Sequence, residues 1–234
     1  MKKIAVITGG RTGIGRATIE RFQKEGFQVI NLSRKPVAME DCISLIVDFS
    51  QPDWELAVKQ PLEEHLQGCE QLALVHNAGV HVNDHALEID PQGLRRSLEV
   101  NVVAPAILNR LLSPYLLPGS SIIYIGSTLS EKAVPGCTSY VTAKHAVVGM
   151  MRSTCQDLVG REIHTACVCP GFTDTDMLRE HVGGSADVLK SIATVCTYNR
   201  LIEPKEIADT IYFCATNPVI NGAVLHANLG QVEN

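Results

Sequence analysis

The feature that most restricts the fold is an alternation. Short, almost wholly apolar runs rich in β-branched residues recur along the chain, separated by amphipathic stretches of helical length. The runs are Ile4 to Thr8, Gln28 to Leu32, Cys42 to Val47, Leu72 to His76, Ser121 to Ser127, Ile163 to Cys169 and Ala223 to Ala227; between them stand Ile14 to Glu25, Trp54 to Leu66, Leu94 to Leu117, Tyr140 to Val159 and Lys205 to Ala215. A strand with one face in water alternates apolar and polar residues, whereas one covered by helices on both faces does not. The pattern predicts a doubly wound α/β sandwich, with about seven parallel strands and about six helices. With 234 residues the chain can bury one sizeable core, and residues 1–234 are read as a single domain. The least regular stretch, Thr173 to Asn199, carries Gly183-Gly184-Ser185 within weak helical signals and is expected to be a mobile loop over a site.

Composition removes several classes of function. The net charge of -5 is spread along the chain without a run of like charges, so no nucleic-acid partner is expected. Met1-Lys2-Lys3 begins like a signal peptide, but its apolar run stops at Gly9-Gly10, and no stretch reaches membrane-spanning length. The eight cysteines include no Cys-x-x-Cys pair, and a reducing cytosol is the expected home. His81, Asp84 and His85 have metal-compatible spacing, yet they fall where polar loop residues are expected, so no metal site is assigned. Cys167 and Cys169 alternate along a β run and are read as thiols on one strand face.

Thr8-Gly9-Gly10-Arg11-Thr12-Gly13-Ile14-Gly15 follows the first strand and opens the first helix. Glycine lets the backbone turn tightly and approach a diphosphate, whose charge meets the unpaired N–H groups at the helix start. Without Gly-x-x-x-x-Gly-Lys-Ser/Thr, the turn is not that of a nucleoside triphosphatase. About 20 residues further on, a dinucleotide site selects its cofactor: a carboxylate accepts the adenosine ribose hydroxyls, and arginine receives a 2′-phosphate. Here stand Asn31-Leu32-Ser33-Arg34. With Ser33 and Arg34 present and no carboxylate, NADP(H) is favoured over NAD(H).

Tyr140 and Lys144 are four apart in a helical segment and share a face. Carbonyl reduction needs an acid for the developing alkoxide, alcohol oxidation needs the matching base, and a neighbouring ammonium favours phenolate. Ser127 ends its strand at the sheet edge where α/β proteins bind ligands, and its hydroxyl can donate to a substrate oxygen or serve the turn. Asn101, inside an apolar helical run, needs a polar partner, either an ordered water or a helix carbonyl.

Together these residues resemble the short-chain dehydrogenase/reductase family over nearly the whole chain. The matching elements stand in the family's order: the Thr8 to Gly15 turn, His76-Asn77-Ala78-Gly79, Asn101, Ser127, Tyr140 with Lys144, and Pro170-Gly171-Phe172-Thr173-Asp174-Thr175-Asp176-Met177. The resemblance implies a Rossmann-like fold and an NAD(P)-dependent oxidoreductase acting on a small carbonyl or alcohol. It implies that Tyr140 is the acid/base, Lys144 bonds the nicotinamide ribose, Ser127 orients substrate and Asn101 holds a relay water. Asp48 and Phe49 would meet the adenine; Asn77, Ala78 and Gly79 the adenosine side; Pro170, Gly171, Thr173 and Thr175 the nicotinamide. It further implies a homodimer or homotetramer built on the two long helices. His76 replaces the family's usual first Asn, and Ala227-Asn228-Leu229-Gly230 departs from its common Val-Asp-Gly-Gly. The readings carried forward are an NADPH-favouring reductase of a ketone, aldehyde or 3-oxoacyl substrate, an NAD-linked alcohol dehydrogenase, and a non-catalytic dinucleotide-binding sensor or scaffold.

Overall fold

In the computed structural model, which describes residues 1–232, each apolar run becomes a strand: β1 (Lys3–Thr8), β2 (Gln28–Ser33), β3 (Cys42–Ile46), β4 (Gln71–His76), β5 (Ser121–Ile125), β6 (His164–Pro170) and β7 (Ala223–Ala227). They form one parallel sheet in the order β3-β2-β1-β4-β5-β6-β7. Consecutive side chains in a strand point to opposite faces, and each face has its own helices. On one face α1 (Gly13–Lys24) sends Ile19 and Phe22, and α8 (Pro204–Thr216) sends Ile207 and Ile211, against Ala5, Ile7, Val29, Val75 and Val168. On the other, α2 (Trp54–Leu66), α4 (Ala104–Leu112) and α5 (Thr138–Asp157) pack Val58, Leu62, Leu108, Leu112, Val147 and Met151 against Ile4, Val6, Ile30, Leu32, Leu74 and Tyr124. The chain reverses its direction of winding between β1 and β4, and the crevice beyond their carboxyl ends is where such sheets bind ligands.

Two expectations need correction. The run Leu94 to Leu117 is not one helix: α3 (Pro91–Leu98) passes into a wide π turn over Glu99–Val103 before α4 and a 3₁₀ turn over Ser113–Tyr115. The π turn contains Asn101, whose amide donates to the Ser97 carbonyl at 2.9 Å and to the Val80 carbonyl at 3.1 Å; such turns are common at functional sites. The stretch Thr173 to Asn199 is mostly helical, with α6 (Asp176–His181) and α7 (Ala186–Thr194). Neither buries a single residue, which is why no core-facing stripe announced them.

A buried polar chain crosses the α4/α5 side of the sheet. His76 Nε2 lies 2.8 Å from Asn109 Oδ1, Asn109 donates to the Tyr124 hydroxyl at 2.6 Å, and Thr154 Oγ1 follows at 3.1 Å. His76 thus has a structural place, and burial lowers its pKa to about 4. Cys167 and Cys169 lie side by side on one strand face with sulfurs 3.9 Å apart, both buried. No helix among the described residues is long and apolar enough to cross a membrane.

Candidate active site

At the carboxyl ends of β1, β4, β5 and β6 the chain turns outward at Gly9, Asn77, Gly126 and Gly171, and these turns enclose a cavity of about 1180 Å³. Every residue assigned to cofactor or chemistry from the sequence lines it except Asn101, which lies just behind the surface. At one end are Gly9, Arg11, Thr12, Gly13, Ile14 and Gly15, with Ser33 and Arg34 after β2, Asp48 and Phe49 after β3, and Asn77, Ala78 and Gly79 after β4. Deeper are Ser127, Tyr140 and Lys144, faced by Pro170, Gly171, Thr173 and Thr175.

The glycine turn is tied to the sheet by hydrogen bonds that leave it little freedom. Asn31 on β2 accepts from Gly10 N at 2.9 Å; Thr8 Oγ1 accepts from Asn77 N and Ala78 N at 3.0 and 2.8 Å; Asn77 Nδ2 donates to the carbonyls of Thr8 and Gly9 at 2.9 and 3.2 Å. Asn77 therefore serves the cavity wall through its fixing of the turn, and Asn31 and Thr8 are positioning residues that spacing alone did not single out. Gly9 has φ +70, and a Cβ there would stand 2.9 Å from Ala78 Cα; a Cβ on Gly15 would collide with the Gly9 carbonyl oxygen. Thr12 precedes α1 in extended conformation with no side-chain cap, so the first-turn N–H groups of α1 have no capping side chain, and no acidic residue stands there. Bare glycine backbone beside an uncapped helix start is the cradle a diphosphate fits. Phe49 has its ring in the core, edge-on to Trp54 at 4.8 Å, while Asp48 is held below the usual carboxylate range first by the Ser50 N–H and hydroxyl, then by Arg34 and Arg96.

Tyr140 and Lys144 stand one turn apart near the start of α5. Lys144 is 5% exposed; its ammonium donates to the Ile125 carbonyl at 2.8 Å, which pins it to the end of β5, and lies 5.5 Å from the centre of the Tyr140 ring. Ser127 Oγ accepts from Leu129 N at 3.1 Å, so it caps the short 3₁₀ turn Thr128–Ser130 and keeps its own proton to donate. The turn-capping reading of this serine is the one the structure displays. Asn101 spends its amide nitrogen on two carbonyls and leaves Oδ1 buried without a partner. A Cβ on Gly79 would lie 2.9 Å from that oxygen and 3.7 Å from Lys144 Nζ, so acceptor and ammonium flank the same backbone bend.

Three further residues complete this end. His81 packs on the Tyr140 ring with centroids 4.5 Å apart and planes tilted by 41°, and His181 from α6 packs on His81 at 4.4 Å and 58°. Cys137 Sγ is 3.6 Å from His81 Nε2. Burial, then the charge of His181, holds His81 down at about 4, so at neutral pH it is an uncharged ring. Its position two residues after Gly79 was a usable signal. His181 had none, because it reaches the site only through the path of α6. Thr173 is buried and bonds the Gly171 carbonyl; Thr175 caps α6 by accepting from Leu178 N, and its methyl group lies against Gly13. Among the described residues no group of three or more His, Cys, Asp or Glu side chains is arranged to hold a metal ion.

Residues 3–184 match the family model described as short chain dehydrogenase. A short-chain dehydrogenase, fogB, of Aspergillus ruber is 29% identical over 247 residues, covering 91% of this chain and 89% of its own. The 3-oxoacyl-[acyl-carrier-protein] reductase FabG of Thermotoga maritima is 25% identical, with 98% of each chain covered. Among solved structures, the angucycline C-6 ketoreductase LanV with bound NADP superposes with a TM-score of 0.86 at 27% identity, over 98% of this chain and 95% of that one. With the sheet order, the glycine cradle and the Ser127, Tyr140 and Lys144 cluster at one cavity, these matches make the chain a member of the short-chain dehydrogenase family, an NAD(P)-dependent oxidoreductase acting on carbonyl or alcohol groups.

Proposed function

We propose that this chain reduces a ketone, aldehyde or 3-oxoacyl substrate to an alcohol with NADPH, and that residues 1–234 act as one dinucleotide-binding and catalytic unit. The observation that carries the reading is the anchored Lys144 ammonium beside the Tyr140 ring, in the same cavity as a glycine cradle that a Cβ would fill. The cradle of Gly9, Gly13 and Gly15 with the α1 start holds the diphosphate, Asp48, Asn77 and Ala78 border the adenosine, and Pro170, Gly171, Thr173 and Thr175 border the nicotinamide. The bound dinucleotide supplies a hydride to the carbonyl carbon. The Ser127 hydroxyl donates to the substrate oxygen and fixes its direction. Tyr140 gives that oxygen its proton as negative charge develops on it, and Lys144 stabilises the phenolate left behind. Lys144 then returns a proton to the phenolate and takes a solvent proton in its place through a water that donates to Asn101 Oδ1, so Tyr140 is again a phenol and that buried oxygen gains its missing partner.

Preference for NADPH rests on the adenosine end. Arg11, Arg34, Lys35 and Arg96 line it, Arg34 is exposed directly after β2, and the single carboxylate, Asp48, lies between arginines that neutralise it. A 2′-phosphate meets a planar guanidinium there, and LanV, a relative in structure, carries NADP. The eight thiols, none in a disulfide, suit a reducing cytoplasm, and we read the assembly as a homodimer or homotetramer through α4 and α5, which gel filtration measures. The test is dinucleotide oxidation against a carbonyl panel, with fluorescence titration of both cofactors. NADPH should bind at least about tenfold tighter than NADH, and Arg34→Leu should remove most of that ratio. Equal affinities in the wild type would reverse the preference, and no turnover with either cofactor would refute the reductase.

A further inference from the structure

Resting on that reading, we infer that the carbonyl substrate is a mainly apolar ketone or aldehyde without a positive charge, whose body occupies a lobe lined by the lid helices and by three aromatic rings. One wall of the lobe is the row Tyr140, His81, His181, with successive centroids 4.5 and 4.4 Å apart. Beside these rings the lining is apolar: Val134, and Met177, Leu178, Val182, Val188 and Ile192 of the lid, all line the cavity. Val134, Met177 and Val188 are 45%, 46% and 42% exposed, although the surface of α7 has polar positions to spare. Val188 and Ile192 are one helical turn apart, so α7 turns a stripe toward the cavity and not toward the core, to which it gives nothing. Apolar side chains gathered at a cavity and left in water indicate an apolar ligand, since burial of their surface is the gain that binding can supply.

The charges agree. Among the cavity-lining residues the only carboxylate is Asp48, at the adenosine end beside Arg34 and Arg96, and the residue before Ala133 and Val134 on the lining is the cation Lys132, so a cationic carbonyl compound finds no counter-charge near Tyr140. His81 next to the reacting phenol is an uncharged ring with its Nε2 already facing Cys137, so it adds no charge at this end. Hydroxyls placed against Val134, Met177, Val188 and Ile192 would find no partner in those side chains.

The test measures kcat/KM with NADPH for unbranched methyl ketones from butanone to decanone, with a sugar aldehyde and an amino ketone beside them. Buried methylenes should raise kcat/KM by about fourfold each until the lobe is filled, and the sugar and the amine should fall at least about tenfold below a neutral ketone of equal size. Val188→Asp should cut the decanone-to-butanone ratio about tenfold or more, and the milder Ile192→Ser should lower it by a smaller factor. NADPH titration of each variant reports that the cradle is folded. A flat or falling series in the wild type, or a ratio unmoved in both variants, overturns the inference while leaving the reductase standing. Absence of turnover for every carbonyl with either dinucleotide overturns the reductase reading itself.

Discussion

At the glycine end of the cleft, side chains are used to hold backbone: Thr8, Asn31 and Asn77 bond the turn to its neighbouring strands, and Ile19 and Phe22 root α1 in the core behind it. At the lid end, α6 and α7 bury nothing and are attached where they begin and end. Thr175 rests on Gly13 at the start, and Val232 N donates to the Val195 carbonyl, with Thr197 N and Oγ1 donating to Leu229, at the finish. The first arrangement fits a ligand part that never changes, a diphosphate bound by backbone. The second lets surface residues vary without cost to the fold, and the proposed preference for an apolar carbonyl compound rests on those residues.

The contrast is broken most severely at Gly15. A methyl group there meets the Gly9 carbonyl, so Gly15→Ala should weaken NADPH binding by about 3 kcal/mol, roughly a hundredfold in Kd, by fluorescence titration. A Kd within about twofold of wild type would mean the cradle yields, and the rigid half would lose its distinction.

Next comes His76, which joins β4 to the buried chain through Asn109 and Tyr124. Burial lowers its folded-state pKa to about 4 from 6.5, and its Nδ1 has no partner. Between those values the unfolded chain binds more protons than the folded one, so stability is complete above 6.5 and declines as the pH falls toward 4. Urea melts at pH 7 and about pH 4.5 should differ by roughly 2–3 kcal/mol from this group, and His76→Asn should shrink the difference by that amount. The smallest effect belongs to the lid. Val188→Ala should change the stability of the fold by less than about 0.5 kcal/mol, because that side chain packs on no core residue. A larger loss would show that α7 is part of the folded body.

How far the sequence could be read follows the same division. Strands buried on both faces must be apolar throughout, so their number and order of appearance are written in composition, and the glycine turn is legible because no other residue allows the approach of Gly9 to Ala78. Tyr140, Lys144 and Ser127 were also within reach, since each sits at a strand end or one helical turn from its partner. The π turn was not: Leu94 to Leu117 keeps a helical apolar pattern through it, and the widening shows only where Asn101 reaches Ser97 and Val80. Nor were α6, α7 and the His81–His181 contact, because helices without a core stripe lack a strong periodic signal and residues a hundred positions apart meet only through the path of the lid.

The account stands most directly on the phenol at Tyr140, and the decisive comparison is wild type against Tyr140→Phe in a carbonyl reduction assay with NADPH binding measured on the same samples. Removal of the hydroxyl should lower kcat by about a thousandfold while the NADPH Kd stays within about twofold, since the glycine cradle does not depend on it. A variant that binds NADPH and still reduces the carbonyl at the wild-type rate would contradict it.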